Sequence, residues 1–169
     1  MKRFTIIAGI NGAGKTSLYH VLKNSEDLGE RVNIDELAKK FGGNDDPYAN
    51  IHAGRTAMEM ISDFISMGVS FHIETTLPGA AIIRQINAAK QAGFTVALYF
   101  VGVDDIQVAI ERVHRRMANG GHGIGDSFII KRFSQLTRNL RAVLPLCDEA
   151  ILFDNTVKFR QIAVLEDKR

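Results

Sequence analysis

The stretch AGINGAGKTS, Ala8 to Ser17, decides the fold. It follows the apolar run Phe4 to Ala8 and satisfies the spacing G-x-x-x-x-G-K-[ST] with Gly9, Gly14, Lys15 and Thr16, with Gly12 as a further glycine inside the loop. Glycines let the backbone turn tightly enough for successive N–H groups to point at phosphate oxygens, and the helix that follows adds its positive N-terminal end. The expected nucleotide contacts are therefore Gly9, Asn11, Gly12, Ala13 and Gly14, with Lys15, Thr16 and Ser17 at the start of the helix. Lys15 is placed to reach the β and γ phosphates, and Thr16 to offer its hydroxyl to a Mg²⁺ ion. The loop implies a nucleoside triphosphate site, because "RFTIIAG" reads as a buried strand and "KTSLYHVLK" as a helix, the order this chemistry requires.

Outward from the loop, strands and helices alternate. The pattern predicts strands at 3–8, 31–34, 69–74, 94–101 and 149–153, with one more at 158–165, and helices at 15–24, 35–41, 48–67, 79–92, 104–119 and 126–143. Such alternation implies an α/β fold, a three-layer P-loop kinase-like sandwich with a mostly parallel sheet and helices on both faces. The continuously apolar "TVALYFVG" agrees with a strand covered on both sides. In the helix 48–67, Ile51, Met58, Ile61 and Ile65 are the expected core face; in 104–119 it is Ile106, Ile110, Val113 and Met117. The glycine-bearing segments 41–50 and 119–126 read as mobile loops.

Composition sets the outer bounds. A chain of 169 residues with 46% hydrophobic and 24% charged residues is expected to be one soluble domain over 1–169. A net charge of +2 is too small to imply a nucleic-acid or membrane-surface protein by itself. The single Cys147 rules out an internal disulfide framework. No apolar stretch is long enough for a signal peptide or a membrane span, so a cytoplasmic location is expected.

In parallel sheets, ligands bind beyond the carboxyl ends of strands, which draws attention to Asp35, Glu74 and Asp154 as well as to the phosphate loop. Asp35 either caps the helix that begins there or accepts the proton of a substrate hydroxyl. Glu74 either holds a metal-bound water or a substrate hydroxyl, or simply closes its strand with a polar group. Arg112, Arg115 and Arg116 form a basic stripe leading into "NGGHGI". They read either as a solvated face or as part of a lid, about 112–126, whose arginines neutralise a transferred phosphoryl group. His114 and His122 read as polar fillers, since no zinc-type spacing surrounds them. Arg55 falls off the core stripe of its helix and faces either solvent or the substrate cleft. Two classes fit these residues: a Mg²⁺-dependent kinase acting on a small hydroxylated metabolite, and a nucleotide-dependent binding or switch ATPase without a phosphorylated product.

The series "IAGINGAGKTS", "VNIDELA", "DPYANIHAGR", "FHIETTLPG", "AGFTVALYFVG", "RVHRRMANGGHGI" and "RNLRAVLPLCDEAILFDN" resembles the small, single-domain branch of the zeta-toxin-like P-loop kinases, in order from about residue 3 to residue 156. The resemblance implies phosphoryl transfer from ATP to a hydroxyl; in the best understood zeta toxins the acceptor is a nucleotide-activated amino sugar. It implies phosphate-loop roles for Lys15 and Thr16, a general base at Asp35, acceptor contacts from Glu74 and Thr76, and lid arginines at Arg112 and Arg116. It also places Asp154 and Asn155 near the adenine and implies an antitoxin protein as partner. One position departs: zeta toxins commonly have an acceptor-holding Arg where "ETTLP" has Pro78. A compensating charge is then expected from Arg55 or Arg84.

Overall fold

The computed structural model describes residues 1–42, 46–121 and 123–166. Expectations for the middle of the 41–50 loop (Gly43, Asn44 and Asp45) and for His122 lie outside the described residues.

The elements run β1 (Arg3–Ala8), α1 (Lys15–Ser25), β2 (Glu30–Val32), α2 (Ile34–Lys40), α3 (Pro47–Met67), β3 (Phe71–Thr75), α4 (Ala80–Gln91), β4 (Thr95–Gly102), α5 (Ile106–Ala118), α6 (Asp126–Val143), a 3-10 turn Leu144–Leu146, β5 (Glu149–Asp154) and β6 (Arg160–Glu166). Strand order is β2-β3-β1-β4-β5-β6; the first five are parallel and β6 returns antiparallel along β5. This is the α/β architecture, with its mostly parallel sheet, that the alternation implies. β1 and β4 are buried on successive residues, which alternate between faces, so both faces are covered. Near the amino ends of β1 and β3, Phe4 stacks on Phe71 at 4.5 Å between centroids, with Phe94 edge-on to Phe71.

The chain leaves β1 for β2 and β3 on one side and continues with β4 and β5 on the other. β1 is thus where the strand order reverses, and a crevice opens beyond its carboxyl end, at the loop Gly9 to Gly14.

Two helix faces differ from expectation. On α3 the buried positions are Ala49, Ala53, Ala57 and Ile61, while Ile51 and Met58 are 60% and 55% exposed. Small residues let α2 and α3 approach closely, and the bulkier side chains turn outward. On α5, Ala109, Ile110 and Val113 are buried, whereas Met117 is 48% exposed at the helix end. There its thioether lies where a side chain on Gly123 would stand.

Candidate functional site

The phosphate loop owes its curvature to positive backbone angles that only glycine adopts cheaply. Gly12 has φ 81° and packs so closely on α5 that a Cβ would collide with the Ala109 carbonyl. Gly14 has φ 110° and begins α1 beside the Asn155 amide. Within this cup the Lys15 ammonium donates to the carbonyls of Gly9 (2.8 Å) and Ile10 (3.0 Å). Burial pushes the Lys15 pKa down from its ordinary 10.5 to about 8; Glu74 and Asp35 oppose the shift, while Arg132 and Arg116 add to it. An ammonium held this way is a cation short of counter-charge, and phosphate oxygens would supply it.

At the first turn of α1 the Thr16 hydroxyl donates to Glu74 Oε2 at 3.2 Å. Glu74, the last residue but one of β3, has only 8% of its side chain exposed, and its Oε1 accepts from Arg31 (2.7 Å) and Asn33 (3.2 Å). Arg31 in turn pairs with Glu36 at 2.7 Å and lies 4.1 Å over the Tyr19 ring. Glu74 therefore does more than close a strand: its carboxylate is clamped with one oxygen turned to the phosphate loop.

Asp35 is not the cap of its helix. Asn33 is, its side-chain oxygen accepting from the N–H groups of Asp35 (3.0 Å) and Glu36 (3.2 Å). That leaves the exposed Asp35 carboxylate on the cleft wall, with Arg132 and Lys15 within electrostatic reach. The loop after Glu74 is held in one shape. Buried Leu77 adopts φ 59°, its N–H donates to Thr75 Oγ1 at 3.1 Å, and its carbonyl accepts from Asn139 at 2.8 Å. A left-handed non-glycine residue held by its surroundings commonly marks a functional loop. Here it presents Thr76 and Pro78 to the cleft.

The opposite wall is built on α5 and the turn after β5. Arg112 donates to the carbonyls of Asn155 (2.8 Å) and Thr156 (3.2 Å), and the Asn155 amide donates to Ala13 O at 2.7 Å. Arg116 lines the same cleft from the next turn of α5, along with Ser17 from α1. The cleft measures about 770 Å³ and brings together Asn11, Gly12, Gly14, Lys15, Thr16, Asp35, Glu74, Thr76, Arg112, Arg116 and Asn155.

Three candidates stand apart from it. Asp154 uses one oxygen on Thr156 N–H and Oγ1 (2.9 and 2.6 Å) and the other on Arg160 (3.1 Å). Chiefly the Thr156 hydrogen bonds hold its carboxyl below the usual range, so it builds the turn that carries Asn155. Arg55 and Arg84 are exposed on α3 and α4 and are not among the residues lining the cleft.

Arg132 is the residue that sequence reasoning missed. It projects from α6 into the cleft, donates to Asn11 Oδ1 at 2.6 Å, and its pKa is lowered by burial against the pull of Asp35. Its signal was an arginine on the apolar stripe between Ile129 and Leu136, both buried.

Oxygen donors at Thr16 and Glu74 fit a hard divalent cation. Among the described residues no group of three or more His, Cys, Asp or Glu could hold a metal. No helix among the described residues is long and apolar enough to cross a membrane.

Comparison with known proteins gives concordant matches. The zeta toxin family description matches residues 2–166. An uncharacterized protein of Haemophilus influenzae is 30% identical over 125 residues, 74% of this chain and 88% of that one. A structure of the PezAT chromosomal toxin–antitoxin system of Streptococcus pneumoniae aligns with TM-score 0.66 at 17% identity, over 96% of this chain and 72% of that one. AvrRxo1-ORF1:-ORF2, solved with ATP, aligns with TM-score 0.71 at 16% identity; it covers 99% of this chain, which spans 59% of the AvrRxo1 chain. At such identities the two structures speak for the fold.

Proposed function

The chain belongs to the zeta toxin family, and on that premise we propose that it is an ATP-dependent phosphotransferase that moves the γ-phosphate to the hydroxyl of a small molecule. The observation that carries the reading is the convergence, in one cleft, of a phosphate loop with an under-compensated Lys15 and a carboxylate, Asp35, free of structural duty.

In this reading the loop amides and Lys15 hold the β and γ phosphates, displacing the Lys15 ammonium from the Gly9 and Ile10 carbonyls. Thr16 and Glu74 would hold Mg²⁺, which when bound would supply neutralisation of the phosphate charge. Asn155 and the turn behind it flank the nucleoside, and Phe159, 40% exposed beside Gly14, offers a ring face to the base. Asp35 aligns the acceptor hydroxyl and takes its proton as the acceptor oxygen bonds to the γ phosphorus and the bond to the β–γ bridging oxygen breaks, releasing ADP. Arg116 and Arg132 stabilise charge on the transferred group. Likeness to the PezAT structure supports a protein antitoxin as partner; a chain that inhibits the enzyme and co-purifies with it would be that partner.

The test is transfer of label from γ-labelled ATP to a pool of cytosolic metabolites. A labelled small-molecule product is expected from the native chain, and Lys15→Ala should abolish it while leaving the thermal transition in place. Equal product from both proteins would remove the basis of the reading.

A further inference from the structure

Resting on the phosphotransferase reading and its Mg²⁺ at Glu74, we infer that Tyr19 is a positioning residue of the metal site: its ring fixes the guanidinium of Arg31, which in turn holds the Glu74 carboxylate with one oxygen toward Thr16.

The arrangement begins on the sheet. Arg31 of β2 and His72 of β3 are register partners in parallel strands, so their side chains leave the same face side by side. Glu74 follows His72 by two residues and leaves that face as well. On α1, Thr16 and Tyr19 stand at i and i+3 and are neighbours on one side of the helix. Thr16 donates to Glu74 Oε2, while the Tyr19 ring stacks on His72 at 5.2 Å between centroids, with planes 20° apart. The Arg31 guanidinium carbon lies over the same ring, 4.1 Å from its centroid. One side of α1 therefore reaches Glu74 twice, directly through Thr16 and indirectly through Tyr19 and Arg31.

Arg31 depends on that ring. Its terminal nitrogens go to Glu74 and Glu36, each at 2.7 Å, but its Nε is buried with no hydrogen-bond partner among the described residues. Glu36 is half exposed, which makes it a weak anchor. An aromatic face restrains the guanidinium plane that these two ion pairs leave free to turn. Lys23, the other cation near the ring, is farther off at 5.7 Å. His72 gives the ring its seat. Its Nδ1 is 3.2 Å from the Leu28 carbonyl, which can only accept, so Nδ1 carries the proton. Burial lowers the His72 pKa from its ordinary value, and a neutral imidazole lies beside Arg31 without repelling it. Among the described residues the Tyr19 hydroxyl has no hydrogen-bond partner, so the ring and not the hydroxyl does the positioning.

The experiment measures the affinity of a non-hydrolysable ATP analogue in Mg²⁺ and in EDTA, and the ratio of the two isolates the contribution of the metal. Groups that orient a metal ligand typically change metal affinity about 10- to 100-fold when lost, and Tyr19 acts one step further out, so Tyr19→Leu should cut the Mg²⁺ enhancement roughly three- to tenfold. Affinity in EDTA should not change. Tyr19→Phe keeps the ring and should match the native protein. Arg31→Lys, which neither forks nor stacks, should cut the enhancement too, and Tyr19→Leu added to it should reduce it no further. Where Tyr19→Leu does not fold, Tyr19→Met gives the same comparison. The inference is overturned by full enhancement without the ring, by a Tyr19→Phe protein as weak as Tyr19→Leu, or by losses that multiply in the double variant. Glu74→Gln tells this failure from that of the reading beneath it. If Glu74→Gln keeps the full enhancement, the Mg²⁺ assignment falls and the role of Tyr19 with it. If Glu74→Gln loses the enhancement and Tyr19→Leu does not, only the role of Tyr19 falls.

Discussion

Lys15 is under two opposed pressures, and their balance gives a pH signature. Burial lowers its pKa to about 8, while bound phosphates would raise it. Above pH 8 the free protein must therefore take up a proton to bind nucleotide, so affinity for ATP should fall by up to tenfold per pH unit and be flat with respect to this group below pH 8. Folding stability has the opposite sign: the unfolded chain binds more protons between pH 8 and 10.5, so this group favours the native state increasingly as pH rises through that window. Calorimetry in buffers of different ionisation enthalpy at pH 9 should show proton uptake, and Lys15→Arg should lose it. Asp35 gives a second residue-scale expectation. Because Asn33 does the capping, Asp35→Asn should shift the melting temperature hardly at all yet cut kcat by roughly 10²-fold or more. A sharp fall in melting temperature with activity per folded molecule intact would make Asp35 structural. Lys15 and Thr16 were legible in the sequence as cleft residues because their placement follows from a local loop. Asp35 was legible as a candidate only, since two neighbouring polar residues can each cap a helix and spacing does not choose between them.

At the scale of elements, α2 is seven residues long, too short to persist on propensity alone, and its cap does double duty. The Asn33 side chain accepts from Asp35 and Glu36 N–H and donates to Glu74 Oε1. Asn33→Ala should cost about 1 kcal/mol for the cap. On the role proposed for Glu74, it should also weaken Mg²⁺ binding by loosening that carboxylate, read as a raised half-saturating Mg²⁺ concentration alongside a denaturant midpoint shift. A shift in stability with unchanged Mg²⁺ response would separate the two duties. Element types and order were readable from periodicity alone. The α3 face was misread because Ile51 and Met58 outrank alanine in hydrophobicity, whereas close packing of α3 on α2 selects small side chains.

For the molecule as a whole, the question is what moves. Arg112 is anchored, since α5 packs on Gly12 and its guanidinium holds the turn after β5, so the closure on nucleotide that we propose would fall to the end of α5 that carries Arg116. Gly120 has φ 79° just beyond α5, and His114 of α5 lies 2.7 Å from Asp126 at the start of α6. Protease nicking within 119–125 should slow several-fold with an ATP analogue and Mg²⁺. Equal nicking with and without nucleotide would make it an ordinary surface loop. The amino-acid sequence by itself determined what depends on neighbours along the chain: the phosphate loop from its glycines, the helices and strands from their apolar periods, and the α/β class from their alternation. The tertiary structure alone decided which distant residues meet. Arg132 reaches Asn11 across 121 positions and Glu74 reaches Thr16 across 58. It also decided that Asp35 lies within electrostatic reach of Lys15 and Arg132. Those contacts depend on strand order and on how helices sit across the sheet. Both are set by burial summed over the whole chain, and no local pattern carries that sum.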